Sequence, residues 1–231
     1  MSMTSAIMSC SPTKIPLDGL NARLTSCHDG ARREVLYTKK VAMRLFIAIE
    51  LSEGVRAALV RVRDELKTKW VSEREGVSWV KAENLHITMK FLGQVQETRV
   101  KDVCDALGSL GSGGAVELAG AKILCLPPRG PVRVIAAGLE GELERLSIVQ
   151  REIEERCAEL GFQKEGRRFL PHVTLARVKG RLHVKARDIE AWADALFPTP
   201  RMVAREFVLM ESRLKPTGAE YVSVGRFRIE E

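Results

Sequence analysis

The chain is 231 residues long, carries a net charge of +7, and is 45% hydrophobic, 29% charged and 5% aromatic. With 18 Gly and 9 Pro it is no low-complexity chain, and no apolar run approaches the roughly 20 residues of a membrane-spanning helix, so disordered and integral-membrane classes are set aside. The basic excess suits a polyanionic partner without demanding one.

Residues 1–42 mix Ser, Thr, Pro and Gly without a period of 2 or 3.6, and hold six basic against three acidic side chains. This stretch reads as an irregular N-terminal extension of a domain spanning 43–231. Its base-rich character could suggest an organellar transit peptide, but the stretch lacks the amphipathic helix such a peptide needs, and an upstream start codon accounts for it as well. Equally, Lys39-Lys40-Val41-Ala42 ahead of Met43 would come from A- and G-rich codons, as a translated ribosome-binding sequence would. The five cysteines, Cys10, Cys27, Cys104, Cys125 and Cys157, are scattered and odd in number. They argue against a disulfide framework and for a reducing cytoplasm.

Met43 opens an apolar strand, Arg44-Leu-Phe-Ile-Ala-Ile-Glu50. Ser52 then caps a helix whose Val55, Leu59, Val62 and Leu66 form one stripe. A polar loop leads to a second strand containing His86-Ile-Thr-Met89. Further along, a helix is expected around 97–110 and a strand around 115–126. The order then recurs: a strand at Arg133-Val-Ile-Ala-Ala-Gly-Leu-Glu140, a helix with the stripe Leu146, Val149, Ile153 and Leu160 that stops at Gly161, a loop, and a strand with His172-Val-Thr-Leu175. The histidines lie 86 positions apart and the preceding strand starts 89 apart, so the domain reads as two β-α-β copies. A helix around 185–196 and strands around 202–214 and 220–229 complete it.

Side chains alternate along a strand. His86, Thr88 and Lys90 are therefore expected on one face and Ile87, Met89 and Phe91 on the core face; in the second copy His172, Thr174 and Ala176 oppose Val173 and Leu175. One strand histidine is ordinarily a structural residue, but the same polar pair at equivalent positions of two copies points to a shared site. Two imidazoles across a phosphate can take a proton from water and give one to the leaving oxygen, since histidine titrates near pH 6.5. Threonine hydroxyls can bond the nonbridging oxygens and Lys90 can offset their charge. Zinc would need further ligands, and no carboxylate or cysteine stands at a matching position, so no metal and no cofactor are expected. Arg168 and Arg177 flank the second motif and read equally as contacts to a phosphate-bearing ligand and as solvated arginines. Strict alternation turns Arg177 away from His172, so it needs a strand end or a bulge to reach the site. Trp79 and Phe46 read as core residues that could alternatively stack on a base. His28 and His183 read as solvated.

The stretches Glu83–Gly93, Phe169–Val178 and Arg44–Glu50, with the closing Ser212–Gly218, Tyr221 and Phe227, resemble the 2H phosphoesterase superfamily and, within it, the RNA 2′,3′-cyclic phosphodiesterase branch long called 2′-5′ RNA ligase. The resemblance implies an α+β, bilobal fold of duplicated β-α-β units, with antiparallel sheets lining a central cleft and helices outside. It implies hydrolysis of RNA 2′,3′-cyclic phosphate ends, tRNA fragments among them, to 2′-phosphates, and reversible 2′-5′ ligation. It assigns His86 as proton donor, His172 as proton acceptor, and Thr88 and Thr174 as phosphate contacts. A monomer without a membrane partner is expected. A noncatalytic RNA-binding module and a phosphodiesterase acting on a small cyclic nucleotide are the alternatives.

Overall fold

Residues 42–69, 76–110, 114–180, 182–216 and 218–229 are described by a computed structural model. The extension expected over 1–42 lies, except for Ala42, outside the described residues. Ala42 already belongs to the first strand, β1 (Ala42–Glu50), and α1 (Glu53–Lys69) follows at once. Its first turn closes through Arg56 N–H to the Ser52 carbonyl at 2.9 Å, and its buried side includes the expected stripe Val55, Leu59, Val62 and Leu66. Burial of each such side chain contributes about 1.5–3 kcal/mol.

The short strand β2 (Val77–Trp79) was not signalled by any periodicity, because three residues are too few to display one. Next come β3 (His86–Gln96), α2 (Val100–Gly108), β4 (Val116–Leu126) and β5 (Val134–Gly141). The second repeat helix, α3 (Leu143–Glu159), buries Leu146, Val149 and Ile153. It stops as expected at Gly161, whose φ of +84° a side chain would strain, while Phe162 N–H bonds back to the Cys157 carbonyl at 3.0 Å. The chain ends with β6 (His172–Val178), α4 (Ala186–Ala193), β7 (Met202–Ala204), β8 (Glu206–Lys215) and β9 (Gly218–Arg228).

All strand pairings are antiparallel and build one nine-stranded sheet in the order β7-β4-β5-β6-β3-β1-β8-β9, with β2 added on β6. The duplication is visible in this path, since β8-β1-β3 with α1 matches β4-β5-β6 with α3. The two halves meet where β3 pairs β6 at Ile87 and Val173, both fully buried. Buried residues of α1, α2, α3 and α4 form one core with Leu45, Ile47, Ile49, Ile87 and Val173. A separate small cluster of Phe46, Ala48, Val208 and Met210, with Tyr221 against it, marks the opposite, open face.

Two β-bulges at equivalent positions overturn part of the expected alternation. Along β3, Thr88 pairs Ala48 and Lys90 pairs Ile47, which leaves Met89 extra. Along β6, Thr174 pairs Ala136 and Ala176 pairs Ile135, which leaves Leu175 extra. An extra residue shifts the phase by one, so the residues that follow it change face until a further irregularity, such as the one at Leu92 on β3, shifts the phase again. Lys90 and Ala176, expected beside the histidines, therefore turn to the core and are buried; Phe91, expected in the core, is 63% exposed, and Arg177 is exposed as well.

Candidate active site

The β3/β6 rung fixes the site. With Ile87 opposite Val173 on the helix side, the residues flanking that rung on each strand, His86 and Thr88 on β3 and His172 and Thr174 on β6, alternate onto the open face. Both histidines are half-buried. Their rings are held alike: Nδ1 of His86 lies 2.8 Å from the Asn84 carbonyl and Nδ1 of His172 lies 2.7 Å from the Leu170 carbonyl. A carbonyl only accepts, so Nδ1 carries the proton in each ring and Nε2 remains for the open face. Nε2 of His86 lies 3.0 Å from the Thr88 hydroxyl.

The turn ahead of His86 is anchored from behind. Arg56 on α1 donates to the carbonyls of Ala82 at 2.9 Å, Leu85 at 3.4 Å and Leu51 at 3.3 Å, and buried Asn84 donates to the Ala219 carbonyl on β9 at 2.7 Å. The His86 ring packs 5.0 Å from Phe46 and 5.3 Å from Tyr221, centroid to centroid. Burial in this apolar nest pushes its pKa below the ordinary 6.5; the hydrogen bond to Asn84 opposes that shift, and the charges of Arg177, His172 and Arg56 add to it. A cavity of about 60 Å³ opens beside it, with Glu50, Arg56, Glu83, Tyr221 and Ser223 on its walls.

The other expected site residues divide. Arg177 reaches the open face through the Leu175 bulge, and its charge acts on His86. Arg168 is exposed in the irregular segment four residues before His172. Lys90 does not join the site: its ammonium lies 2.5 Å from Glu154 Oε2 on the far side of β3, because the bulge rotates it there. Trp79 packs against the core, and Phe46 is a buried floor beneath His86 and Phe91. Among the described residues, no three His, Cys, Asp or Glu side chains gather into a cation site. No described helix is long and apolar enough to cross a membrane.

Three residues of this face escaped the sequence reading. Phe91 sits 6.1 Å from Phe46 with most of its ring in solvent, on the strand beside Thr88. Tyr221 edges onto both Phe46 and His86. Exposed Lys122 stands opposite Gly138, which in turn stands opposite His172, so the three form a row across β4, β5 and β6. Phe91 and Tyr221 stand in stretches that carry the family resemblance, but nothing in the sequence placed either on this face, and nothing marked Lys122.

The LigT-like phosphoesterase family model matches residues 49–136 and 138–221, which carry one histidine motif each. The chain belongs to the LigT-like phosphoesterase family. It is 33% identical over 182 residues to a protein of Methanocaldococcus jannaschii named RNA 2′,3′-cyclic phosphodiesterase, covering 78% of this chain and 96% of that one. A Thermotoga maritima protein of the same name is 30% identical, with 78% and 91% covered. Among solved structures, a Thermus thermophilus protein superposes with a TM-score of 0.66 at 26% identity over 82% of this chain and 100% of its own. Escherichia coli LigT in complex with 3′-AMP shares the fold at a TM-score of 0.65 and 22% identity, with 83% and 100% covered. As in other LigT-like phosphoesterases, the fold is mixed α/β with an antiparallel sheet, and this member is an enzyme of the hydrolase type.

Proposed function

We propose that the protein opens 2′,3′-cyclic phosphate ends of RNA to 2′-phosphates by metal-independent acid/base catalysis. The observation that carries this reading is the quartet His86, Thr88, His172 and Thr174 on one sheet face, two equivalent pairs about the Ile87–Val173 rung. The names of the relatives support an RNA substrate.

In this mechanism the phosphoryl group lies between the two Nε2 atoms. His172 Nε2 takes a proton from water, whose oxygen forms the new bond to phosphorus. As the bond from phosphorus to the 3′ oxygen breaks, protonated His86 gives its Nε2 proton to that oxygen. The low basicity of His86 makes its protonated form a better acid, and the negative phosphate beside it favours that form in the complex. Thr88 and Thr174 hold the nonbridging oxygens, and Arg177 balances charge that grows on them in the transition state. Phe91 offers its exposed ring as a stacking face for a base, and Lys122, in line with His172, attracts the strand's backbone. Ligation is the same ring opening with an RNA 5′-hydroxyl in place of water: His172 takes the hydroxyl proton, the 5′ oxygen bonds to phosphorus, and the 3′ oxygen leaves with the proton from His86; the abundance of water favours hydrolysis.

The test is incubation with an oligoribonucleotide ending in a 2′,3′-cyclic phosphate, with the 2′- and 3′-phosphate products separated. A 2′-phosphate product is expected. Binding without turnover would favour a noncatalytic RNA module, and turnover of cyclic mononucleotides alone would favour a small-nucleotide enzyme.

A further inference from the structure

Behind β3, on the side turned from the histidines, lies a charged cluster that the phosphodiesterase chemistry does not use. Lys90 is 5% exposed, and its ammonium donates to Glu154 Oε2 at 2.5 Å and to the Gln163 carbonyl at 2.9 Å. Glu154, on α3, accepts the Glu165 backbone N–H at 3.3 Å with the same oxygen, and Gln150 Nε2 at 3.2 Å with the other. Gln150 Nε2 also donates to the carbonyl of Met89, the extra residue of the β3 bulge, at 3.4 Å.

Burying two charges costs several kcal/mol, and apolar side chains of similar size usually hold such a place as well or better. Stability alone therefore does not account for the pair. Its contacts instead tie together three pieces of chain from both halves: the bulge of the first motif strand, the helix of the second repeat, and residues 163–165. That last segment runs on to Leu170, whose carbonyl holds His172. The matching position on β6 is Ala176, so the tie exists on one side only.

We infer that the Lys90–Glu154 pair is a positioning device which sets the first motif strand against the approach to the second, so that His86 and His172 address one phosphoryl group together. The inference rests on the two-histidine reading above. Lys90 and Glu154 touch no reacting atom. They act through the Met89 bulge, which delivers Phe91 to the open face, and through the 163–171 segment, which delivers His172. Because reactivity across two proton-transfer groups falls steeply with misplacement of the order of 1 Å, loosening this tie should slow the chemical step more than it weakens binding.

The test is the double variant Lys90→Met/Glu154→Leu, which removes both charges together and keeps the volume filled. Its melting temperature should equal or exceed that of the wild type, while kcat on an oligoribonucleotide ending in a 2′,3′-cyclic phosphate falls about tenfold and KM stays within about twofold. A stable double variant with wild-type kcat overturns the positioning role. So does one that no longer melts cooperatively, because the pair would then be a requirement of folding. Should the wild-type protein itself leave this substrate intact, the phosphodiesterase reading fails, and the positioning role with it.

Discussion

Ile87 stands directly opposite Val173, and this is the one rung among the described residues at which β3 pairs with β6. Each residue lies between the histidine and the threonine of its own motif, so a single buried apolar pair brings two sites 86 positions apart in the chain onto one patch of surface.

His86→Ala and His172→Ala should each lower kcat by about 100-fold or more, the usual loss on removing a general acid or base. The double variant should be little worse than either single one, because the two groups act in one step. Steady-state kinetics on the cyclic-phosphate oligoribonucleotide check this. Near-wild-type turnover in either single variant would remove that histidine from the mechanism.

Catalysis should be unaffected by EDTA, since in the proposed mechanism the two imidazoles supply both proton transfers. Loss of activity on chelation, with recovery on adding zinc or manganese, would overturn the metal-independent mechanism.

Phe91→Ala should raise KM for an oligoribonucleotide about tenfold, in line with the roughly 1–3 kcal/mol of a base stacked on an aromatic ring. Because the ring is 63% exposed, the melting temperature should hardly change. Arg177→Ala should instead depress kcat, because its charge serves the transition state. An unchanged KM in the first variant, or an unchanged kcat in the second, would refute the corresponding role.

Stability should depend on His86 in mildly acidic solution. Its folded-state pKa lies below the ordinary 6.5, so the unfolded chain binds the proton first as pH drops. The associated stability is full above pH 6.5 and is lost as pH falls through the folded-state value. Thermal melts of wild type and His86→Gln across that window measure it: the wild-type curve should fall and the variant curve should be flatter. Equal slopes would assign the loss to other groups.

The periodic parts of the fold were legible. The stripe of α1 follows from Val55, Leu59, Val62 and Leu66, the end of α3 from Gly161, and the kinship of β3 and β6 from the repeated His-x-Thr. The bulges were not, for a physical reason. Met89 and Leu175 are ordinary apolar residues, buried in either phase, and nothing about a methionine or leucine marks it as the supernumerary member of a strand. The error this caused was confined to residues beyond each bulge: Lys90 and Phe91 exchanged faces, and Arg177 gained the face it needed. The pairing partner of Lys90 was equally hidden, since Glu154 is 64 positions away on another repeat.

Duplication alone would make a palindromic site that a ligand could enter in either of two orientations. The pairs that stand in matching positions here are unlike: Glu50 opposes His86 where Gly138 opposes His172, and Phe91 occupies the place that Arg177 has in the other half. A strand laid across the rung meets a guanidinium beyond one motif and an aromatic ring beyond the other, and turning it around exchanges the two. The open face is thus not twofold symmetric, and a ligand seated across the rung meets different side chains in its two orientations.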